Sequence, residues 1–185
     1  MRKLTQFFLL LSLLLGFSSY SEAALLIEPV LGYNLGSKVE FEDDSYSGGR
    51  GMGFGGRIGY QNLGLQLGID YLNSSIDMDD NDFDKDVKAS EWAGFVGFRF
   101  PLLFKVYAGY IFAANGESEA SGLDVELSSG SGMKAGVGFT GLPFIDLNIE
   151  YRKGTYDEFK ISGQDQDEKV DFSSILFSVS LPFTL

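Results

Sequence analysis

A change of phase in one alternating stretch restricts the folds available to this chain. Residues 51–72 read GMGFGGRIGYQNLGLQLGIDYL, with apolar side chains at even positions up to Tyr60 and at odd positions from Leu63. Strand side chains alternate between two faces, so the shift at Gln61-Asn62 predicts two strands joined by a tight turn. The other face of both strands is mostly glycine with isolated charges. The fold therefore depends on whether the apolar face points inward or outward.

The same alternation recurs along the rest of the chain and predicts eight strands. The alternating segments are 25–35, 51–60, 63–72, 91–100, 104–112, 132–139, 144–152 and 173–185. About ten residues is the length that a tilted strand needs to cross a bilayer, and an even strand number suits a closed barrel.

The connections between these segments alternate in length. Short turns are predicted at 61–62, 101–102 and 141–143, and long connections near 36–50, 73–89, 114–130 and 153–172. Short periplasmic turns and long outer loops are typical of bacterial outer-membrane barrels. The sequence thus predicts an all-β protein, an eight-stranded antiparallel up-and-down transmembrane β-barrel with short periplasmic turns and four long acidic extracellular loops.

The N-terminus has the organisation of a secretory signal peptide. Arg2 and Lys3 precede an apolar run over 7–17, and Ser21-Glu22-Ala23 offers small residues for a signal peptidase. We expect residues 1–23 to direct export through the Sec pathway and residues 24–185 to form a barrel domain in the cell outer membrane. The chain has no cysteine, which excludes disulfides, thiolate metal sites and a lipid-modified N-terminus.

The polar face of the predicted strands carries five acids and five bases. A small eight-stranded barrel has an interior just wide enough for side chains, and buried charges are tolerated when they are paired. We therefore predict that the apolar face meets lipid and that a lumen ion-pair network, including a Lys134–Glu150 pair and a Glu28–Arg57 pair, fills the interior. The network residues are Glu28, Arg57, Asp70, Glu91, Arg99, Lys105, Lys134, Asp146, Glu150 and Arg152. The alternative is a soluble secreted barrel with the two faces inverted.

Aromatic residues cluster near both ends of the predicted strands, as in the girdles at the two membrane interfaces. The candidates near the long connections are Tyr33, Tyr71, Trp92, Phe112 and Tyr151. Those near the short turns are Tyr60, Phe100, Phe104, Phe139 and Phe183.

One acidic tract has the oxygen ligands that a hard cation prefers. It contains Asp77, Asp79, Asp80, Asn81 and Asp82. It is not an EF-hand loop, because Asp82 stands where that loop needs glycine and Lys88 where it needs glutamate. The alternatives are a cation-binding loop and a solvated acidic loop.

The residue types also limit the functions. The chain has no histidine, which excludes a histidine general base or triad, and we expect neither enzymatic activity nor a cofactor. The net charge of −12 becomes −13 for residues 24–185. This balance argues against nucleic acid or an anionic lipid surface as a partner.

The chain resembles the small eight-stranded outer-membrane barrels, namely the transmembrane domain of OmpA and the OmpX/Ail group. The resemblance covers residues 25–185 and is clearest in LLIEPVLGYNLG at the first strand and SVSLPFTL at the last. It implies that the alternating apolar residues of the last strand are the signal read by the barrel-assembly machinery. These are Phe177, Val179, Leu181, Phe183 and Leu185, the last standing where the family usually has Phe.

The leading hypothesis is a monomeric protein of structural or surface-interaction type, whose packed barrel anchors acidic surface loops. Its expected surroundings are outer-membrane lipid and lipopolysaccharide, with divalent cations at the loops. A narrow low-conductance ion channel is the second hypothesis, although aqueous porin channels use about twice as many strands. A soluble secreted binder is the third.

Overall fold

The computed structural model describes residues 23–40, 45–80, 83–101, 103–120, 123–166 and 169–185. The predicted signal peptide lies outside the described residues, apart from Ala23. The strands are β1 (Ala24–Glu40), β2 (Ser45–Asn62), β3 (Leu65–Asp80), β4 (Phe83–Arg99), β5 (Phe104–Ala120), β6 (Leu123–Leu142), β7 (Ile145–Ile161), β8 (Gln164–Gln166), β9 (Val170–Ser180) and β10 (Phe183–Thr184). In the part of the chain that the structure describes, no helix is long and apolar enough to cross a membrane.

The strands form one closed antiparallel barrel. Each strand from β1 to β7 pairs with the next, and β9 pairs with both β7 and β1. Pro182 lacks an N–H and separates β9 from β10, yet Leu181 N donates to Pro29 O at 3.1 Å and Leu185 N donates to Leu25 O at 3.0 Å. The two segments therefore act as one barrel strand, while β8 pairs only with the outer end of β7. The predicted eight-stranded barrel is confirmed.

The strands are strongly tilted around the barrel. A path that starts at Glu28 and steps through the directly opposite residue of each successive strand returns to β1 at Val39. This offset along β1 is the shear that lets an eight-stranded sheet close.

The strands are much longer than the alternating segments that predicted them. β1 to β7 hold 16–20 residues each, whereas a tilted strand needs only about 9–11 residues to cross a bilayer. The four long connections predicted from the sequence are consequently mostly strand. We call these outer strand ends the crown; its described residues are 36–40, 45–50, 73–80, 83–90, 114–120, 123–131, 153–166 and 169–173.

The apolar face points outward. Phe54, Ile58 and Leu67 expose 62–63% of their surface on the outside of the barrel, while residues at the alternate positions, such as Arg57 and Gln66, are buried in the lumen. A soluble protein rarely exposes such a continuous apolar surface. The outward orientation predicted from the sequence is therefore the one observed, and the inverted, soluble arrangement is not.

Candidate functional site

The lumen at membrane level holds all ten predicted charges in one connected network. Nine of the ten side chains are at most 12% exposed, and Arg99 at the periplasmic mouth is 26% exposed. Every acid contacts a base, which is the condition for burying this many charges. We call this set the charged layer.

The periplasmic part of the charged layer is a chain of alternating sign. Arg99 Nη2 lies 2.5 Å from Asp146 Oδ2, and Lys105 Nζ lies 3.0 Å from the same oxygen. Lys105 Nζ also lies 2.5 Å from Glu28 Oε1. Lys105 is fully buried, so its ammonium group depends on these two carboxylates for stabilisation.

Arg57 connects this chain to the rest of the network. Its guanidinium lies 3.5 Å from Glu28, 3.4 Å from Asp70 and 3.0 Å from Glu150. Its Cζ also lies 4.1 Å from the ring centroid of Tyr107, which adds a cation–π contact. Because Arg is planar with five donors, one side chain can serve three carboxylates.

Two further bases, Lys134 and Arg152, complete the network on its extracellular side. Lys134 Nζ contacts Asp70 and lies 3.7 Å from Glu150. Arg152 lies 2.6 Å from Glu150 and 3.0 Å from Glu91. The two pairs proposed from the sequence, Lys134–Glu150 and Glu28–Arg57, are therefore both within ion-pair distance, but each is part of a larger network.

Glycines on the neighbouring strand make room for the long lumen side chains. On the β5–β6 pair, Lys105 lies opposite Gly138, Tyr107 opposite Gly136 and Lys134 opposite Gly109. A Cβ on Gly138 would lie 2.9 Å from Lys105 Cε. A Cβ on Gly136 would lie 2.4 Å from Tyr107 Cζ. This alternation of large and small residues accounts for these three glycines of the β5–β6 pair.

The sequence analysis did not single out several lumen residues. Tyr107 and Phe95 are buried beside Arg57, whose Cζ lies 5.6 Å from the Phe95 ring centroid. Asn34 and Ser74 are buried and hydrogen bonded at 3.1 Å. The sequence did contain a signal for Tyr107. It lies between Lys105 and Gly109, at the alternate positions of β5 that face the lumen.

Beyond the charged layer, toward the extracellular end of the barrel, the lumen is lined by apolar side chains. Eight buried residues contact one another there, and Val39, Val125 and Ile161 pack against them. We call these eight the apolar layer: Ala93, Ile111, Ala114, Leu127, Tyr156, Phe159, Val170 and Phe172. The sequence analysis did not predict this layer, because it placed most of these residues in loops.

The aromatic residues predicted as girdles lie on the outside of the barrel near the expected ends of the apolar band. Trp92 and Tyr71 have ring centroids 4.8 Å apart at the crown side. Phe100 and Phe104 stack at 4.5 Å at the periplasmic side. Most of the others expose 40–62% of their surface. These positions suit side chains that interact with the membrane interface.

The acidic tract considered as a cation site lies mostly on a strand. Asp77, Asp79 and Asp80 belong to the outer end of β3, where Asp77 lies opposite Asp86 and Asp79 opposite Asp84. Asn81 and Asp82 lie outside the described residues. Among the residues that the structure describes, no group of three or more acidic side chains is placed to hold a metal ion.

The terminal apolar residues all face outward. Phe177, Val179, Leu181 and Phe183 are 39–49% exposed and Leu185 is 77% exposed. Backbone hydrogen bonds between Leu185 and Leu25 hold the end of the chain against β1. The segment closes the barrel and presents an uninterrupted apolar row to the outside.

Comparisons with known proteins agree with this architecture. Neisserial surface protein A has 17% identity and a TM-score of 0.57, with 88% of this chain and 100% of that chain covered. Ail of Yersinia pestis has 14% identity and a TM-score of 0.56 over the same shares. OprG of Pseudomonas aeruginosa has 10% identity and a TM-score of 0.52 over 90% and 99%. At these identities the similarity establishes the fold only.

No curated protein matches the chain at a significant level. The family described as "Outer membrane protein beta-barrel domain" matches residues 8–183. With the outward apolar face and the filled lumen, this match assigns the protein to the outer membrane. The chain belongs to the outer membrane protein beta-barrel domain family.

Proposed function

We propose that the protein is a non-conducting barrel that anchors a stiff, acidic crown at the cell surface, where the crown binds cationic partners. The observation that carries this proposal is the distribution of charge. The charged layer contains five acids and five bases and is neutral overall. The whole net charge of −13 in residues 24–185 therefore belongs to the segments 38–50, 77–88, 117–126 and 153–171.

Pairing between the crown strands supports a role for the negative charge itself. Glu117 lies opposite Glu126, Glu119 opposite Asp124, and Glu40 opposite Asp171. Acids directly opposite each other in an antiparallel pair destabilise it. A cation that neutralises them would relieve this repulsion, which favours a cationic partner over a neutral one.

Two lysines of the crown form ion pairs with neighbouring acids. Lys169 Nζ lies 2.7 Å from Asp157 and Lys160 Nζ lies 3.1 Å from Asp165. These carboxylates raise the pKa of both lysines above the ordinary value. The lysines therefore stay charged at neutral pH but offer little attraction to an anion.

The crown is negatively charged, whereas a surface that binds a polyanion needs positive charge. Ail has been solved in complex with the heparin analogue sucrose octasulfate, in a structure with 15% identity and a TM-score of 0.54 to this chain. A surface with a net charge of −13 would repel such a ligand. For this chain we therefore propose partners of the opposite sign: basic peptides, basic protein surfaces and lipopolysaccharide-bound divalent cations.

The filled lumen disfavours the channel hypothesis, because charged side chains occupy the membrane level and the apolar layer lies above them. The proposal is also non-enzymatic. Each lumen carboxylate contacts a base, so none is left as a free general acid or base.

The proposal can be tested with protein in nanodiscs of zwitterionic lipid, exposed to immobilised polylysine and to immobilised heparin. We expect binding to polylysine that weakens as salt rises, since salt screens exposed charges, and no binding to heparin. The triple variant Glu117→Gln, Asp124→Asn, Glu126→Gln should bind polylysine more weakly. Lys153→Gln, which makes the crown more negative, should bind it more tightly. Equal binding by all three proteins, binding to heparin, or no binding to polylysine would contradict the proposal.

A further inference from the structure

The lumen is chemically asymmetric along its axis. The periplasmic and central part is charged and polar, while the part next to the crown is apolar. This asymmetry concerns the interior alone and does not depend on what the crown binds.

The apolar layer is as deeply buried as the charged layer, but its side chains offer water few polar partners. Ile111 and Val170 are 0% exposed and Ala114 is 1% exposed. The rings of Tyr156 and Phe172 lie 4.9 Å apart across neighbouring strands. Because apolar side chains offer no hydrogen bonds, a packed layer of them is unfavourable for water or ions.

The polar part, by contrast, contains buried atoms that lack hydrogen-bond partners. Glu28 Oε2 and Asn148 Oδ1 are buried, and no described residue donates a hydrogen bond to either. The two side chains meet at Ser180: Asn148 Nδ2 donates to Ser180 Oγ at 3.0 Å, and Ser180 Oγ donates to Glu28 Oε1. Leaving buried acceptors unsatisfied is unfavourable, whereas a buried water commonly bridges such groups.

A polar route connects this place to the periplasm. Arg99, the most exposed member of the charged layer, lies at the periplasmic mouth, and Asp146 and Lys105 connect it to Glu28. At the same mouth Gln66 Nε2 donates to Gln61 Oε1 at 2.7 Å.

From this arrangement we infer that the lumen is a one-sided vestibule. Water and small cations enter from the periplasm and reach a hydration site formed by Glu28, Asn148 and Ser180, while the apolar layer seals the lumen from the outside. The inference goes beyond the proposed surface role, and either can fail without the other.

The chain has no cysteine, so single cysteines can report access from each side. Ser180→Cys places a thiol of similar size at the hydration site. Phe144→Cys marks the periplasmic turn, where Phe144 is 83% exposed, and Gln164→Cys marks the exposed crown. Each variant is folded into lipid vesicles and treated from outside with Ag⁺, an ion close to water in size. Thiols left free are counted with a maleimide after unfolding.

The fraction of Phe144→Cys thiols blocked by Ag⁺ gives the share of molecules whose periplasmic end faces the outside of the vesicle. The blocked fraction of Gln164→Cys gives the share whose crown faces the outside. We expect the blocked fraction of Ser180→Cys to equal that of Phe144→Cys. A fraction equal to that of Gln164→Cys would show access from the wrong side. No blocking would show a dry lumen. Either result would overturn the inference.

A second variant tests the seal. Leu127→Ser in the Ser180→Cys background should admit Ag⁺ from the crown side as well, so that nearly all molecules are blocked. The control is Phe177→Ser, which changes an outward-facing residue and should leave the sidedness unchanged. Heat-dependent gel mobility shows whether each variant is folded. If folded Leu127→Ser keeps the original sidedness, the apolar layer is not the seal. If it does not fold, the three single-cysteine variants alone decide the inference.

Discussion

The charged layer makes a quantitative prediction at Arg57. Replacing Arg57 by Met removes the contacts to Glu28, Asp70 and Glu150 and leaves the lumen with five acids and four bases. The remaining bases keep their own contacts, so one buried negative charge is left without compensation. Breaking a buried ion pair in this way costs about 3–5 kcal/mol, a large part of the total stability of about 5–15 kcal/mol typical of a domain.

The reasoning predicts recovery when charge balance is restored. In the double variant Arg57→Met, Glu28→Gln, the lumen again contains equal numbers of acids and bases. Since replacing both members of a buried pair is often close to neutral, we expect the stability to return to within about 1–2 kcal/mol of the wild type. The notable feature is that two substitutions should be less damaging than one.

The measurement is urea unfolding in lipid vesicles, followed by the fluorescence of Trp92, the single tryptophan of the chain. Arg50→Met is the matched control, because Arg50 lies on the same strand but is exposed. It should change stability by less than about 0.5 kcal/mol. A loss at Arg57 no larger than the loss at Arg50, or a double variant less stable than the single one, would refute the account of the charged layer.

Three other predictions test separate parts of the barrel. Gly136→Ala would place a Cβ 2.4 Å from Tyr107 Cζ and should destabilise the barrel by about 1–3 kcal/mol through overpacking; Tyr107→Leu in the same chain should recover part of that loss in urea unfolding. Trp92 should be quenched more strongly by lipids labelled near the headgroup than by lipids labelled at the chain ends, since it belongs to a predicted girdle; the reverse order would remove it from the girdle. Phe183→Ala should lower the yield of folded protein in the outer membrane of cells more than it lowers the stability of purified protein, because we propose that the terminal row is read during assembly. Equal losses in the two measurements would mean that Phe183 acts through stability alone.

Much of the membrane-level structure could be predicted from the sequence, because two simple constraints act there together. The period of two assigns every residue of a strand to one of two faces. Lipid on one side and a narrow lumen on the other then require apolar residues outside and balanced charges inside. For this reason the Glu28–Arg57 pair could be predicted from the sequence alone. Neither constraint indicated that Arg57 would contact three acids at once, because that depends on how far side chains reach across the lumen.

The crown could not be predicted in the same way because the solvent changes along each strand. On β7, Tyr151 faces lipid and Arg152 faces the lumen, whereas farther out Asp157 is exposed to water and Tyr156 is buried inside. The strand and its alternation continue, but water now replaces lipid outside, so the polar residues belong outside and the apolar ones inside. A search for strands with one constant apolar face therefore ends at the membrane boundary. It assigns the remaining part of each strand to a loop. The signal that remained in the sequence was inverted alternation, as on β9, where the apolar residues Val170 and Phe172 take even positions and Ile175 and Phe177 take odd ones. An alternating stretch whose apolar phase inverts without a turn residue is what a strand that leaves the bilayer should produce.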